Sequence, residues 1–145
     1  MMPSPGCFKI LYADDNQGDI ELTLEAARDS GTDCSMHTVS NGAEAVFHLN
    51  QLKGSECPDL ILLDWNMPKM NGLEALTVIR RNPEYAITPI IIFTSSASEQ
   101  HIRQSYKAGA NCYVIKPMDL DQYMEHVMAM IHFWSQVVCI PKIQL

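Results

Sequence analysis

Asp14-Asp15, Asp64, Thr94-Ser95 and Lys116-Pro117 stand at or just beyond the ends of short apolar runs. Each alone says little, since strand-end aspartates cap the helices that follow them and a lone lysine is usually solvated. Parallel strands of one sheet, however, would open all these ends on the same edge. Three carboxylates, a hydroxyl and an ammonium would then converge in one crevice. Like charges held that close repel and call for a cation. Oxygen donors at an open edge suit a hard ion such as Mg²⁺ (or Mn²⁺), which keeps waters that a phosphate can replace.

The runs that would place these residues are Phe8–Ala13, Cys34–Val39, Leu60–Asp64, Ile90–Thr94 and Cys112–Ile115. Leu60-Ile61-Leu62-Leu63 and Ile90-Ile91-Ile92-Phe93 are apolar at every position, the pattern of central parallel strands covered on both faces. Helical periodicity fills the intervals at 17–30, 41–53, 72–82, 98–108 and 118–135. In the last, Leu120, Tyr123, Met124, Val127, Ile131 and Trp134 recur at three- and four-residue steps. Ser96 and Glu99 have capping-box spacing, and Gly31 and Gly109 fall where helices should end. Five β-α units predict a doubly wound, right-handed α/β fold whose ligands bind at the carboxyl ends of the strands.

Composition narrows the function. The 145 residues are 47% hydrophobic and 19% charged, as in a globular domain that holds together without metal or disulfide. Ten Lys+Arg against 17 Asp+Glu leave a net charge of −7, which disfavours nucleic acid and anionic membrane as partners. Cys7, Cys34, Cys57, Cys112 and Cys139 form no Cys-x-x-Cys and read as free thiols of a cytoplasmic protein. The turn-like start, Met1-Met2-Pro3-Ser4-Pro5-Gly6, is not a signal peptide, and no apolar run reaches the length of a membrane span.

The segment Asp64-Trp65-Asn66-Met67-Pro68-Lys69-Met70-Asn71-Gly72 resembles the phosphoacceptor loop of response-regulator receiver domains in two-component signalling. Ala13-Asp14-Asp15 resembles their acidic pair, Thr94-Ser95 their switch hydroxyl and small neighbour, and Tyr113-Val114-Ile115-Lys116-Pro117 their aromatic switch and lysine. Asn71-Gly72 stands where many receivers carry Asp-Gly. The resemblance implies a flavodoxin-like (βα)5 fold with strand order 2-1-3-4-5. It divides the chain into an extended or disordered segment over 1–7, a receiver over 8–135 and an apolar tail over 136–145 at a dimer interface.

The same resemblance implies roles. Asp64 takes a phosphoryl group from a sensor histidine kinase; Asp14, Asp15, Asp64 and the Asn66 backbone carbonyl hold Mg²⁺ or Mn²⁺. Lys116 and Thr94 hold phosphoryl oxygens, and Tyr113 turns inward as Thr94 moves, reshaping the face made by the fourth helix, fifth strand and fifth helix. The Lys116–Pro117 bond is expected to be cis. The loop is equally similar to chemotaxis regulators. Ala110-Asn111-Cys112-Tyr113, Phe133-Trp134 and the tail Val137-Val138-Cys139-Ile140-Pro141 resemble small receivers partnering phytochrome-type kinases, which implies a homodimer. With only about ten residues after the last helix, output is expected through contact with a downstream protein, not through catalysis.

Other residues carry blander expectations. His37, His48, His101, His126 and His132 show no ligand spacing and read as lying away from the strand ends. Arg80-Arg81 reads as a partner of its helix dipole, and Trp65 as exposed. A degenerate receiver that binds partners without phosphorylation is the alternative. A flavin-binding carrier is disfavoured because Asp14-Asp15-Asn16 would repel the flavin phosphate, and an aspartyl phosphatase because the first strand lacks Asp-x-Asp.

Overall fold

The computed structural model describes residues 6–141. Five parallel strands, β1 (Phe8–Ala13), β2 (Cys34–Val39), β3 (Leu60–Leu63), β4 (Ile90–Thr94) and β5 (Cys112–Ile115), lie in the order β2-β1-β3-β4-β5. They alternate with α1 (Gln17–Asp29), α2 (Gly42–Asn50), α3 (Gly72–Arg81), α4 (Glu99–Lys107) and α5 (Leu120–His132). This is the flavodoxin-like architecture expected.

The continuous apolar runs are the central strands, and their two-residue period divides the core. Leu11, Ile61, Leu63, Ile90 and Ile92 pack with Leu49, Leu76 and Ile79 of α2 and α3. Ile10, Tyr12, Leu60, Leu62, Ile91 and Phe93 pack with Ile20, Tyr123, Val127 and Ile131 of α1 and α5. Every residue of β3 and β4 is buried, as a strand covered on both faces requires.

Each helix begins at a side chain that accepts an otherwise unpaired backbone N–H: Asn16, Asn41, Asn71, Ser98 and Asp119. The expected Ser96–Glu99 capping box does not form. Ser98 caps α4 instead, its Oγ accepting from the His101 N–H at 3.3 Å, which leaves the Ser96 hydroxyl for another partner. The capping box belongs to α3, where Asn71 and Glu74 satisfy each other's N–H groups.

Helix ends depart modestly from expectation. The last begins at Leu120 because Asp119 caps it, and beyond His132 the chain widens into a π turn over Phe133–Val137. No cis peptide occurs among the described residues, so Lys116–Pro117 is trans. Of the expected terminal segments, residues 1–5 and 142–145 lie outside the described residues. Cys7 is buried, and Trp134 packs against the α1–α5 core. Val138, Ile140 and Pro141 line a cavity of about 460 Å³ at the amino ends of the strands, opposite the acidic residues.

Candidate functional site

The carboxyl ends of β1, β3, β4 and β5 converge on one edge, because the register aligns Ala13 with Leu63, Leu63 with Ile92, and Thr94 with Ile115. Asp14 and Asp64 are the next residues of β1 and β3, Thr94 is the last of β4, and Lys116 follows β5. Backbone bonds fix these ends: the Asp64 N–H donates to Ala13 O at 3.0 Å and the Lys116 N–H to Thr94 O at 2.7 Å.

The loop after Asp64 is closed by Gly72. Its N–H donates to Trp65 O at 2.9 Å, and a Cβ there would overlap the Asp64 carbonyl oxygen. Glycine is therefore required by close approach. Lys69 holds the turn in the left-handed region at φ 66°.

Asp14, Asp15 and Asp64 can each direct a carboxylate oxygen to within 4.8 Å of the others. Asp14 is fully buried; the Tyr12 hydroxyl and the Lys116 ammonium donate to its Oδ2, and the Asn16 N–H donates to its Oδ1. Lys116 Nζ reaches three carboxylates: Asp14 at 2.5 Å, Asp19 at 2.8 Å and Asp64 at 3.1 Å. It also lies 5.7 Å from the Phe93 ring centre.

Burial pushes the Asp14 carboxyl above its ordinary range, and the nearby ammonium pulls it only part of the way back. Burial works against the Lys116 ammonium too, but Asp64 and Asp14 outweigh it and hold the amine above its ordinary range. Lys116 is therefore charged. Four carboxylates still face one ammonium, and Asp64 Oδ1 is buried without a hydrogen-bond partner. An all-oxygen set with surplus negative charge and an unengaged buried oxygen fits a hard divalent cation.

Thr94 is fully buried, its Oγ1 accepting from the Ser96 N–H at 3.4 Å. Tyr113 is half-buried, packs against the α2–α3 core and donates its hydroxyl to Ser96 O at 2.7 Å; burial pushes its pKa up. Asn66 and Ser95 are exposed beside the site.

Three residues answer expectations differently. Trp65 is not exposed but 7% accessible, because the His101 ring stacks on it at 3.9 Å and 14°. His101 accordingly lies next to the loop that follows β3, not away from the strand ends. Arg80 does not serve its own helix end; it donates to the carbonyls of Gly109, Tyr85 and Thr88 and to Asn111 Oδ1.

Asp19 and Tyr12 belong to the site without having been singled out. Asp19 lies in the first turn of α1, where acids are common, and only the fold reveals that this turn faces Lys116. Tyr12 sits in an apolar run, and nothing local marks its hydroxyl.

Residues 10–128 match the family described as response regulator receiver domain. The response regulator Rcp1 of Synechocystis sp. is 33% identical over 135 residues, which are 91% of this chain and 92% of that protein. The structure of the phosphorylated cyanobacterial phytochrome response regulator RcpA superposes with a TM-score of 0.88 at 34% identity, covering 94% of this chain and 99% of that one. The Mn²⁺-bound form of Rcp1 superposes at 0.82 with 31% identity, covering 92% and 99%.

Proposed function

The chain belongs to the response regulator receiver domain family, and on that premise we propose that Asp64 is its phosphoacceptor, serving a sensor histidine kinase of the phytochrome type. The observation that carries this reading is the environment of Asp64: Oδ2 held by Lys116 and Oδ1 buried with no partner. Lys116 orients the carboxylate and leaves one oxygen without a hydrogen bond among the described residues, so that one oxygen would meet the cation and the other the phosphorus.

In the transfer, an Asp64 oxygen attacks the phosphorus of a phosphohistidine. The P–O bond forms as the P–N bond breaks, the imidazole leaves, and an acyl phosphate remains. Asp14, Asp15, Asp64 and the Asn66 carbonyl would hold Mg²⁺ or Mn²⁺, which when bound would supply positive charge to offset that of the phosphoryl oxygens. Lys116, already charged and anchored on Asp14 and Asp19, is placed to pair with a phosphoryl oxygen. The Thr94 hydroxyl donates to another, and the short Ser95 side chain leaves the approach open.

The new charge, about −1.5 to −2 at pH 7, draws Thr94 and Lys116. Since Ser96 O accepts the Tyr113 hydroxyl, movement of Thr94 shifts the Tyr113 anchor as well. The readout is the α4–β5–α5 face, where Tyr106, Ile115, Met118 and Leu120 are exposed apolar groups. A downstream protein or a second copy of the chain would cover them. Light scattering with and without beryllofluoride tests the homodimer; a monomer in both conditions refutes it.

Phosphoramidate tests the acceptor, because its P–N bond stands in for phosphohistidine. With Mg²⁺, the native chain should show an acyl phosphate signal by ³¹P NMR that Asp64→Asn lacks. A signal retained in Asp64→Asn would assign the acceptor elsewhere.

A further inference from the structure

Resting on the assignment of Asp64 as phosphoacceptor, we propose that His101 is a positioning residue that couples the loop after Asp64 to the segment between β4 and α4. Trp65 is covalently next to Asp64, and its ring lies against the His101 ring at 3.9 Å and 14°. On its other side, His101 Nδ1 shares a hydrogen bond of 2.7 Å with Ser96 Oγ. Ser96 in turn donates its N–H to Thr94 Oγ1 at 3.4 Å and accepts the Tyr113 hydroxyl at 2.7 Å. One imidazole therefore bridges the acceptor loop and the two residues assigned to the switch.

The bridge is held from its own backbone. The His101 N–H donates to Ser98 Oγ at the cap of α4, and His101 O accepts the Ser105 hydroxyl at 2.8 Å one turn on. With the helix start fixed, the ring has little freedom to follow Ser96 without leaving Trp65. A displacement of Thr94 toward Asp64 carries Ser96 with it. His101 must then either release the indole or release the serine.

The two contacts thus oppose each other during switching, and His101 sets how far a change at Asp64 is felt at Tyr113. A spatial chain is not by itself coupling, so each contact has to be removed separately.

The test uses the whole chain with Trp134→Phe, which leaves Trp65 as the only indole, since the sequence has two tryptophans. Two variants separate the contacts: His101→Phe keeps the stack and loses Nδ1, while His101→Asn keeps a group for Ser96 and loses the stack. Acetyl phosphate labelling is followed by mass, Trp65 by emission, and the Tyr113 ring by NMR on addition of Mg²⁺ and beryllofluoride.

Both variants should still form the Asp64 adduct. His101→Phe should keep the Trp65 emission of the parent and lose most of the Tyr113 shift. His101→Asn should shift Trp65 emission to the red and lose the emission change caused by beryllofluoride. If both variants form the adduct and show the parent's Tyr113 and Trp65 responses, His101 is a packing residue and the proposal fails. An absent adduct in the parent would instead overturn the assignment of Asp64, and the coupling with it.

Discussion

Lys116 Nζ lies 3.1 Å from Asp64 Oδ2, with a lysine side chain that is only 3% exposed. The pair joins the residue after β5 to the residue after β3, two strands away, across the end of β4. It also explains why so acidic an edge is compatible with a folded chain. One ammonium, shared with Asp14 and Asp19, offsets part of the repulsion, and the remainder favours a divalent cation.

Lys116→Met should therefore destabilise the protein by about 3–5 kcal/mol, the usual cost of removing one partner of a buried ion pair. Mg²⁺ should raise the thermal midpoint of this variant more than that of the native chain, because more carboxylate charge is left uncompensated. Melting curves with Mg²⁺ or EDTA check both statements. Equal Mg²⁺ stabilisation of the two proteins would detach Lys116 from the cation site.

Arg80 bridges the end of α3 to the loop before β5. Its guanidinium donates to Thr88 O at 2.6 Å and Asn111 Oδ1 at 2.8 Å, besides Tyr85 O and Gly109 O. Arg80→Ala leaves these acceptors without their donor and should cost about 2–4 kcal/mol in urea unfolding, on the scale of charge-assisted bonds. Arg80→Lys should recover only part of this, because an ammonium cannot reproduce the planar fork. Wild-type stability in Arg80→Ala would contradict the contact set.

Trp65 shows where local reading of a sequence stops. The apolar runs of β3 and β4 are visible in the letters, and so are Asp14, Asp64, Thr94 and Lys116 at the strand ends, since strand period and run length are local properties. The burial of Trp65 depends on His101, thirty-six positions away and in another element. Asp19 meets Lys116 only because α1 and β5 open on the same edge, and Arg80 finds its acceptors in loops that its own helix does not predict. With Trp134→Phe, acrylamide should quench the remaining indole weakly. Quenching as strong as that of free tryptophan would contradict the stacked arrangement.

His37 and His48 stack with ring centres 4.0 Å apart and 4° between planes, joining β2 to α2. Burial, followed by repulsion from His37, lowers the His48 pKa from 6.5. The unfolded chain then binds a proton at higher pH than the folded one. The stabilising contribution is present above pH 6.5 and is lost as pH falls through the folded value. Stability should decline on acidification below neutrality, and less so in His48→Gln. Urea midpoints at pH 7.5 and 5.5 provide the comparison, and identical declines in the two proteins would exclude His48 as a contributor.

Asp64 is the residue on which phosphorylation would turn, and intact-protein mass after incubation with acetyl phosphate shows whether it accepts the group. With Mg²⁺ the native chain should gain a single phosphoryl group, EDTA should prevent the gain, and Asp64→Asn should show none. A phosphoryl adduct that persists in Asp64→Asn, or that forms equally in EDTA, would contradict the account of this site.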